Sequence, residues 1–94
     1  MGLYKALEDI DEIAENISHY SSKYASQIVE EFFSKEPLLA NFPRMGRVVP
    51  EMKNRDIREL IHKNYRIIYY IIDATHIDIL TIHHSSRPLD VDGS

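Results

Sequence analysis

The sequence predicts an α+β domain in which an N-terminal antiparallel helical hairpin packs on a small antiparallel β-sheet of three to four strands. Two amphipathic stripes with a helical period occupy the first 40 residues. Beyond about residue 47 the period changes to two, and short runs rich in Ile and Tyr alternate with short turns. Each helix buries its single apolar stripe if the hairpin covers the apolar face of that sheet.

The first predicted helix covers roughly residues 4–20. Its apolar positions recur at three- and four-residue steps and are Ala6, Leu7, Ile10, Ile13, Ala14 and Ile17. Acidic and amide side chains, Asp9 among them, lie between these positions and indicate the side that faces solvent. Ser18, Ser21 and Ser22 then interrupt the stripe and offer an N-cap for a following helix.

A second helical stripe follows the serines and ends near two prolines. Its apolar members are Tyr24, Ala25, Ile28, Val29, Phe32 and Phe33. Pro37 is tolerated only near the end of this helix, and Pro43 stops any continuation. Because only a few residues separate the two stripes, the helices form an antiparallel hairpin.

The second half of the chain predicts an antiparallel meander. Turns at Lys63-Asn64 and at residues 73–75 separate runs that are rich in β-branched and aromatic residues. The predicted strands are Ile57–His62, Tyr65–Ile72 and His76–His83. Residues 41–47 form a loop by composition, and Val48-Val49 either adds a short strand or extends that loop.

Length and composition limit the domain count and the kinds of site. With 94 residues the chain forms one domain over residues 1–94, with a core at about 4–88 and a polar tail at 89–94. The absence of cysteine excludes disulfides, thiol catalysis and cysteine-ligated zinc. We expect no cofactor and no bound metal, since two adjacent histidines on a strand point to opposite faces.

The sequence also predicts a soluble, cytoplasmic protein without a membrane partner. Its N-terminus lacks the apolar segment of a signal peptide. The longest uncharged apolar run, Ile67–Ile72, is much shorter than the ~20 residues that a membrane span requires.

Charge is divided unevenly along the chain. Residues 1–40 carry eight acidic and three basic side chains, whereas residues 44–66 carry seven basic and three acidic ones. Such a basic segment is able to bind an anionic partner although the net charge of the whole chain is −4. The alternative is that these charges are ordinary solvated faces, and the acidic total argues against general nucleic-acid affinity.

Several short segments, in this order and spacing, resemble the RelE/ParE toxin superfamily of type II toxin–antitoxin modules. The segments are Phe42-Pro43, Gly46-Arg47-Val48-Val49-Pro50-Glu51, Ile57-Arg58-Glu59-Leu60, Tyr65-Arg66-Ile67-Ile68-Tyr69 and Ile79-Leu80-Thr81-Ile82-His83-His84-Ser85-Ser86-Arg87. The resemblance covers about residues 5–88 and implies a plasmid stabilisation protein whose helical hairpin lies on a small antiparallel sheet. It also implies a cognate antitoxin as partner.

One departure from the family concerns the start of the chain. Family members usually begin with a strand, whereas only Met1, Gly2 and Leu3 precede the first helical stripe, so the family's first strand is missing; either the start is truncated or the protein leaves a sheet edge open. An unpaired sheet edge invites pairing with another chain. We therefore expect homodimerisation or the antitoxin to cover this edge.

The resemblance leaves two activities open, because RelE-like members cleave mRNA on the ribosome and ParE-like members poison DNA gyrase. In the nuclease branch, the catalytic candidates are Arg66, His83, His84 and Arg87. Arg66 matches the arginine that stabilises the phosphate, and a structural ion pair with Glu51 or Glu59 is the alternative role. The histidines offer an acid or base, or else are packing and strand-end residues.

Other features favour the ParE-like branch, a protein-binding inhibitor of gyrase. The paired lysines of the nuclease branch have no counterpart in Ile57-Arg58-Glu59-Leu60, and the nuclease's C-terminal tyrosine is absent. An inactive family member that acts as a binding module or co-repressor is the third hypothesis.

A basic set and an aromatic set are further candidate contact residues. The residues predicted to bind nucleic acid or the antitoxin are Arg47, Arg55, Arg58 and Lys63. Tyr65, Tyr69 and Tyr70 are either a base-stacking platform or, as is more usual on strands, packing residues.

Overall fold

The structure, a computed structural model, describes residues 2–84, with side chains from Lys5 onward. Two helices precede four strands, which confirms the predicted α+β class. The elements are α1 Gly2–Ser18, α2 Ser22–Asn41, β1 Arg47–Val48, β2 Ile57–His62, β3 Tyr65–Asp73 and β4 His76–His84. None of the described helices is long and apolar enough to cross a membrane.

The four strands form one antiparallel meander in the order β1-β2-β3-β4. The short strand β1 pairs with β2. The prediction that Val48-Val49 adds a short strand is therefore correct, although the observed strand begins and ends one residue earlier. Lys63 has φ 55° in the tight turn between β2 and β3, a left-handed conformation that two-residue hairpin turns require. Within residues 2–84 no strand precedes α1, which begins at Gly2.

The core lies between the helical hairpin and one face of the sheet. Residues from both helices and from β3 and β4 form one buried cluster: Ile10, Ile28, Phe32, Leu39, Ile67, Tyr69, Ile71 and Ile82. Each predicted stripe contributes, but Phe33 is exposed, because only the Ala25, Ile28 and Phe32 side of α2 faces the sheet. The α2 boundaries follow local chemistry, since the Ser21 hydroxyl accepts the Tyr24 N–H at 3.1 Å as the N-cap.

Asp9 lies on the buried side of α1, not on the solvent-facing side that the sequence predicts. Its carboxylate accepts hydrogen bonds from the Thr81 hydroxyl and, at 2.9 Å, from the Ile82 backbone N–H, and it pairs with Lys5. A buried carboxylate is tolerated when its oxygens are hydrogen-bonded in this way. Asp9 therefore fixes α1 against β4 through polar contacts as well as through apolar packing.

Tyr69 joins the centre of the sheet to the loop that follows α2. Its side chain is completely buried; the hydroxyl donates to the Pro43 carbonyl at 2.6 Å and accepts the Gly46 N–H at 2.9 Å. A Cβ at Gly46 would lie 2.5 Å from the Glu59 carbonyl oxygen, so the loop passes the sheet at a distance that only glycine permits. The phenol thus sets the course of the chain from α2 into β1.

Replacing Tyr69 with Phe tests this link against a neighbouring control. Tyr69→Phe removes the partner of a buried N–H and of a carbonyl, so we expect the free energy of unfolding to fall by about 1–3 kcal/mol. Tyr70, 37% exposed and on the opposite face, serves as the control, since Tyr70→Phe removes no described hydrogen bond. Urea unfolding measures both variants, and equal stabilities for the two would contradict the assigned role of the Tyr69 hydroxyl.

Candidate functional site

A cluster of two arginines and two carboxylates is formed by β1, β2, β3 and the segment between β1 and β2. Glu59 of β2 faces Arg47 of β1 in the sheet register, and Arg66 of β3 reaches the same carboxylate. The Arg66 Nε lies 2.8 Å from Glu59 Oε1, and the Arg47 Nε pairs with Glu59 Oε2. Arg66 also holds Glu51 with both terminal nitrogens, each at 2.9 Å. We call these four residues the Glu59 cluster.

The Glu59 cluster is electrically balanced; Glu59 and Arg66 are buried at its centre, whereas Arg47 and Glu51 reach solvent. The Glu59 side chain is 0% exposed and that of Arg66 is 8% exposed, so their charges are poorly screened by water. Hydrogen bonds from Arg66, first to Glu51 and then to Glu59, raise the pKa of the guanidinium above its ordinary range, although burial opposes them. Two cations meet two anions, and the formal charge of the cluster is zero.

Arg66 thus makes the ion pairs with Glu51 and Glu59 that are one of its two predicted roles. A guanidinium engaged by two carboxylates must exchange strong, charge-assisted hydrogen bonds before it is able to receive a phosphate. The carboxylate of Glu59, next to the guanidinium, also opposes an approaching anion.

The histidine candidates lie at the end of β4, beside Arg66 and α1. His83 is the cross-strand partner of Arg66, and His84 is that of Tyr65. The ring of His84 meets that of Tyr65 edge to face, with centroids 5.6 Å apart. Both histidines line a polar pocket of about 270 Å³ together with Lys5, Asp9 and Glu12 of α1. Arg87 lies outside the described residues.

The predicted basic residues do not form one surface. Arg58 donates to the carbonyls of Gly46, at 3.0 Å, and of Arg55, at 3.2 Å, so it supports the loop before β1 and the turn before β2. Arg47 belongs to the Glu59 cluster. Lys63 lies in the turn that follows β2. Arg55 lies before β2 and is exposed. Of these four residues, only Arg55 has a charged group without a described partner.

Lys63 and His62 attach the β2–β3 turn to α2. The Glu31 carboxylate accepts a hydrogen bond from the Lys63 Nζ and lies 2.6 Å from the His62 Nε2, while the ring of His62 packs on Phe32. Lys63 also lies 5.2 Å from the centre of the Tyr24 ring. The hydrogen bond from Lys63, followed by that from His62, lowers the pKa of Glu31.

The tyrosines are divided between packing and exposure. Tyr69 is buried, Tyr65 packs edge to face on Phe32 with centroids 5.4 Å apart, and Tyr70 is partly exposed on the other face of the sheet. Alternation along β3 separates Tyr70 from the other two, so the three rings do not present one stacking platform. Within residues 2–84 there is also no cluster of three or more His, Asp or Glu side chains able to hold a metal ion.

An apolar groove opens where the loop after α2 passes the end of β3. Its volume is about 690 Å³, and its walls are Phe42, Pro43, Arg44, Met45, Asp56 and residues 71–74. We call it the Ile72 groove. The sequence predicted a loop at 41–47 and a strand end at Ile72, but it gave no sign that the two lie together. The signal available was the pair Phe42 and Met45, two large apolar side chains in a loop.

Comparison with known proteins identifies the family. The family model of the ParE toxin of the type II toxin–antitoxin system parDE matches residues 4–89. The chain belongs to the ParE toxin family. As a ParE-family toxin it is one component of a toxin–antitoxin module, and its partner is an antitoxin. A comparison with curated proteins gave no match.

Removing Arg66 tests the energetic importance of the Glu59 cluster. Arg66→Ala leaves the buried Glu59 short of a cation, and we expect a loss of about 3–5 kcal/mol in unfolding free energy. Arg55→Ala, an exposed change, should stay within about 0.5 kcal/mol of the natural protein. Denaturant titration followed by circular dichroism measures both.

A double variant tests whether the stability lost in Arg66→Ala comes from the unpaired charge of Glu59. Replacing Arg66 with Met and Glu59 with Leu together removes the buried charges as well as their attraction, and should recover much of the stability lost in Arg66→Ala. An Arg66→Ala protein as stable as the Arg55→Ala protein would show that the cluster contributes little.

The lowered pKa of Glu31 predicts how the stability of the fold depends on pH. Because its pKa is lowered in the folded protein, its contribution is present above the ordinary glutamate pKa and is lost as the pH falls through the lowered value. Glu31→Gln should therefore flatten the acid dependence of stability, measured by urea unfolding from neutral to acidic pH. The adjacent exposed Glu30 supplies the control, and a Glu30→Gln protein that flattens the curve equally would disprove the assignment to Glu31.

Proposed function

We propose that this ParE-family toxin acts by binding DNA gyrase as an inhibitor without a catalytic centre, and that its antitoxin prevents this binding. The observation that carries the proposal is the engagement of Arg66 by Glu51 and Glu59. Arg66 is the residue that matches the phosphate-stabilising arginine of the nuclease branch. Its contacts supply a structural reason for its presence that requires no RNA.

The energetics of RNA cleavage support the same choice. Cleavage requires cations for the charge of the phosphorane, a base for the 2′-hydroxyl and an acid for the leaving oxygen. If Arg66 supplied this cation to the RNA, it would have to release the buried carboxylate of Glu59. Breaking a buried ion pair costs about 3–5 kcal/mol. Arg47 and Arg58 already have partners within the chain, so they too contribute little to a phosphate site.

A second function, ribosome-dependent cleavage of mRNA, is favoured by one observation. The register of β3 and β4 places His83 opposite Arg66, so an imidazole lies beside the guanidinium at the same end of the sheet. In this alternative Arg66 binds the phosphate, His83 or His84 transfers the proton, and Arg87 adds a second cation.

The two functions predict different damage in a cell that expresses the toxin alone. For gyrase inhibition we expect relaxed plasmid and stabilised gyrase–DNA cleavage complexes, together with intact transcripts. Gel electrophoresis of plasmids and primer extension on abundant mRNAs measure both in one culture. Purified toxin should also inhibit supercoiling by purified gyrase, which excludes indirect effects of arrested growth.

Variants at the histidines serve as the decisive control. His83→Ala and His84→Ala should retain gyrase inhibition, because neither side chain performs chemistry in this proposal. Phased cuts in mRNA that disappear in either variant would overturn the proposal in favour of the nuclease. Expression without any growth defect would instead identify an inactive binding module.

A further inference from the structure

We infer that the Ile72 groove binds an apolar segment of the antitoxin that carries a lysine or arginine opposite Asp56. The inference rests on the proposed function, because it takes the occupant to be the polypeptide that neutralises the toxin. It adds a location on the chain and the chemistry of the segment that fits there.

The walls of the Ile72 groove expose large apolar side chains. Phe42 is 61% exposed, Ile72 is 57% exposed and Met45 is 47% exposed, and all three line the same depression. Binding is favoured when a partner removes such apolar surface from water. Contiguous exposed apolar residues in a concave site are typical of surfaces that bind a partner.

The topology of the sheet explains why the groove exists. Ile57, the first residue of β2, pairs with Tyr70, and the Ile71 N–H donates to the Asp56 carbonyl at 2.8 Å. Beyond that bond, β3 continues to Asp73 with no β2 residue beside it. The opposite wall is the 42–45 loop, which is fixed because the Pro43 carbonyl accepts the Tyr69 hydroxyl. The groove is therefore formed before a partner arrives.

Asp56 gives the groove a charge preference. Asp56 is a partly buried residue that lines the groove, and its carboxylate has no hydrogen bond or ion pair with any other residue in the 2–84 range. Asp73, the other acid of the wall, is already engaged by the Thr75 N–H at 2.9 Å and by His76 at 2.8 Å. A carboxylate that a bound apolar segment would cover needs a cation from that segment.

Arg44 sets a second, weaker condition on the occupant. It lines the same groove, is exposed, and has no ion-pair partner in the described part of the chain. An acidic side chain in the bound segment would meet this cation at the rim, where charges affect association rate more than affinity. The segment that fits is thus apolar, with one basic residue as its main polar requirement.

A displayed library of random peptides tests the chemistry of the groove. Peptides selected on the full chain should be rich in apolar residues and should carry Lys or Arg. Their dissociation constants should rise about tenfold with Asp56→Asn and more with Ile72→Glu. Asp56→Lys should shift the selected charge from basic to acidic.

Ile61→Glu is the matched control, since Ile61 is also a strand residue, 49% exposed, and does not line the groove. Peptides that bind Ile72→Glu as well as the natural protein, or that show no basic preference, would overturn the inference. Loss of self-association in Ile72→Glu without any selected peptide would overturn it as well, because the groove would then join two copies of this chain.

Co-expression with the cognate antitoxin tests the identity of the occupant. A toxin carrying Ile72→Glu should still arrest growth but should require at least tenfold more antitoxin for neutralisation than Ile61→Glu does. Unchanged neutralisation alongside peptide binding would show that the groove serves another partner. The gyrase assay keeps the two proposals separate: gyrase inhibition without groove binding refutes only this inference, and groove binding without gyrase inhibition refutes only the proposed target.

Discussion

The buried carboxylate of Glu59 is the constraint on which the sheet depends. It stands on β2 with no exposed surface and is in contact with a cation from each neighbouring strand, Arg47 and Arg66. Through Arg66 it also holds Glu51, so the segment between β1 and β2 is fixed to the same point. A charge in such a position is stable only while its partners remain, and the three strands and the connecting segment are therefore coupled.

This coupling also shapes what the surface offers to other molecules. The basic segment from Arg44 to Arg66 suggests an anion-binding face in the sequence, but much of its charge is used inside the fold. The cations of this segment that remain exposed without a described partner are Arg44, Lys53 and Arg55, and exposed apolar side chains such as Met45, Val48 and Ile61 lie in the same segment. A protein that recognises other proteins is well served by such a surface, whereas one that binds a polyanion needs a continuous field of positive charge.

The sequence supplied the elements more readily than the contacts between them. Periodicity predicts both helices and three strands, and residue type predicts an N-cap among Ser18, Ser21 and Ser22, because these are local properties; the structure selects Ser21. The prediction that Asp9 lies on the solvent-facing side of α1 is wrong. Asp9 falls three residues after Ala6 and four before Ile13, so it shares their face of the helix. Its hydrogen-bond partners on β4 are non-local. The groove at Ile72 was missed for the same reason, since no pattern within one segment reports that a distant loop lies against it.

The contact between Asp9 and Ile82 has a consequence for how the protein is made. These residues are 73 positions apart, yet the carboxylate of one completes the docking of α1 on the strand that contains the other. A ribosome synthesises α1 early and β4 late. In a nascent chain that has not reached residue 82, α1 therefore lacks the strand on which it packs. The finished shape thus arises only after β4 has been translated.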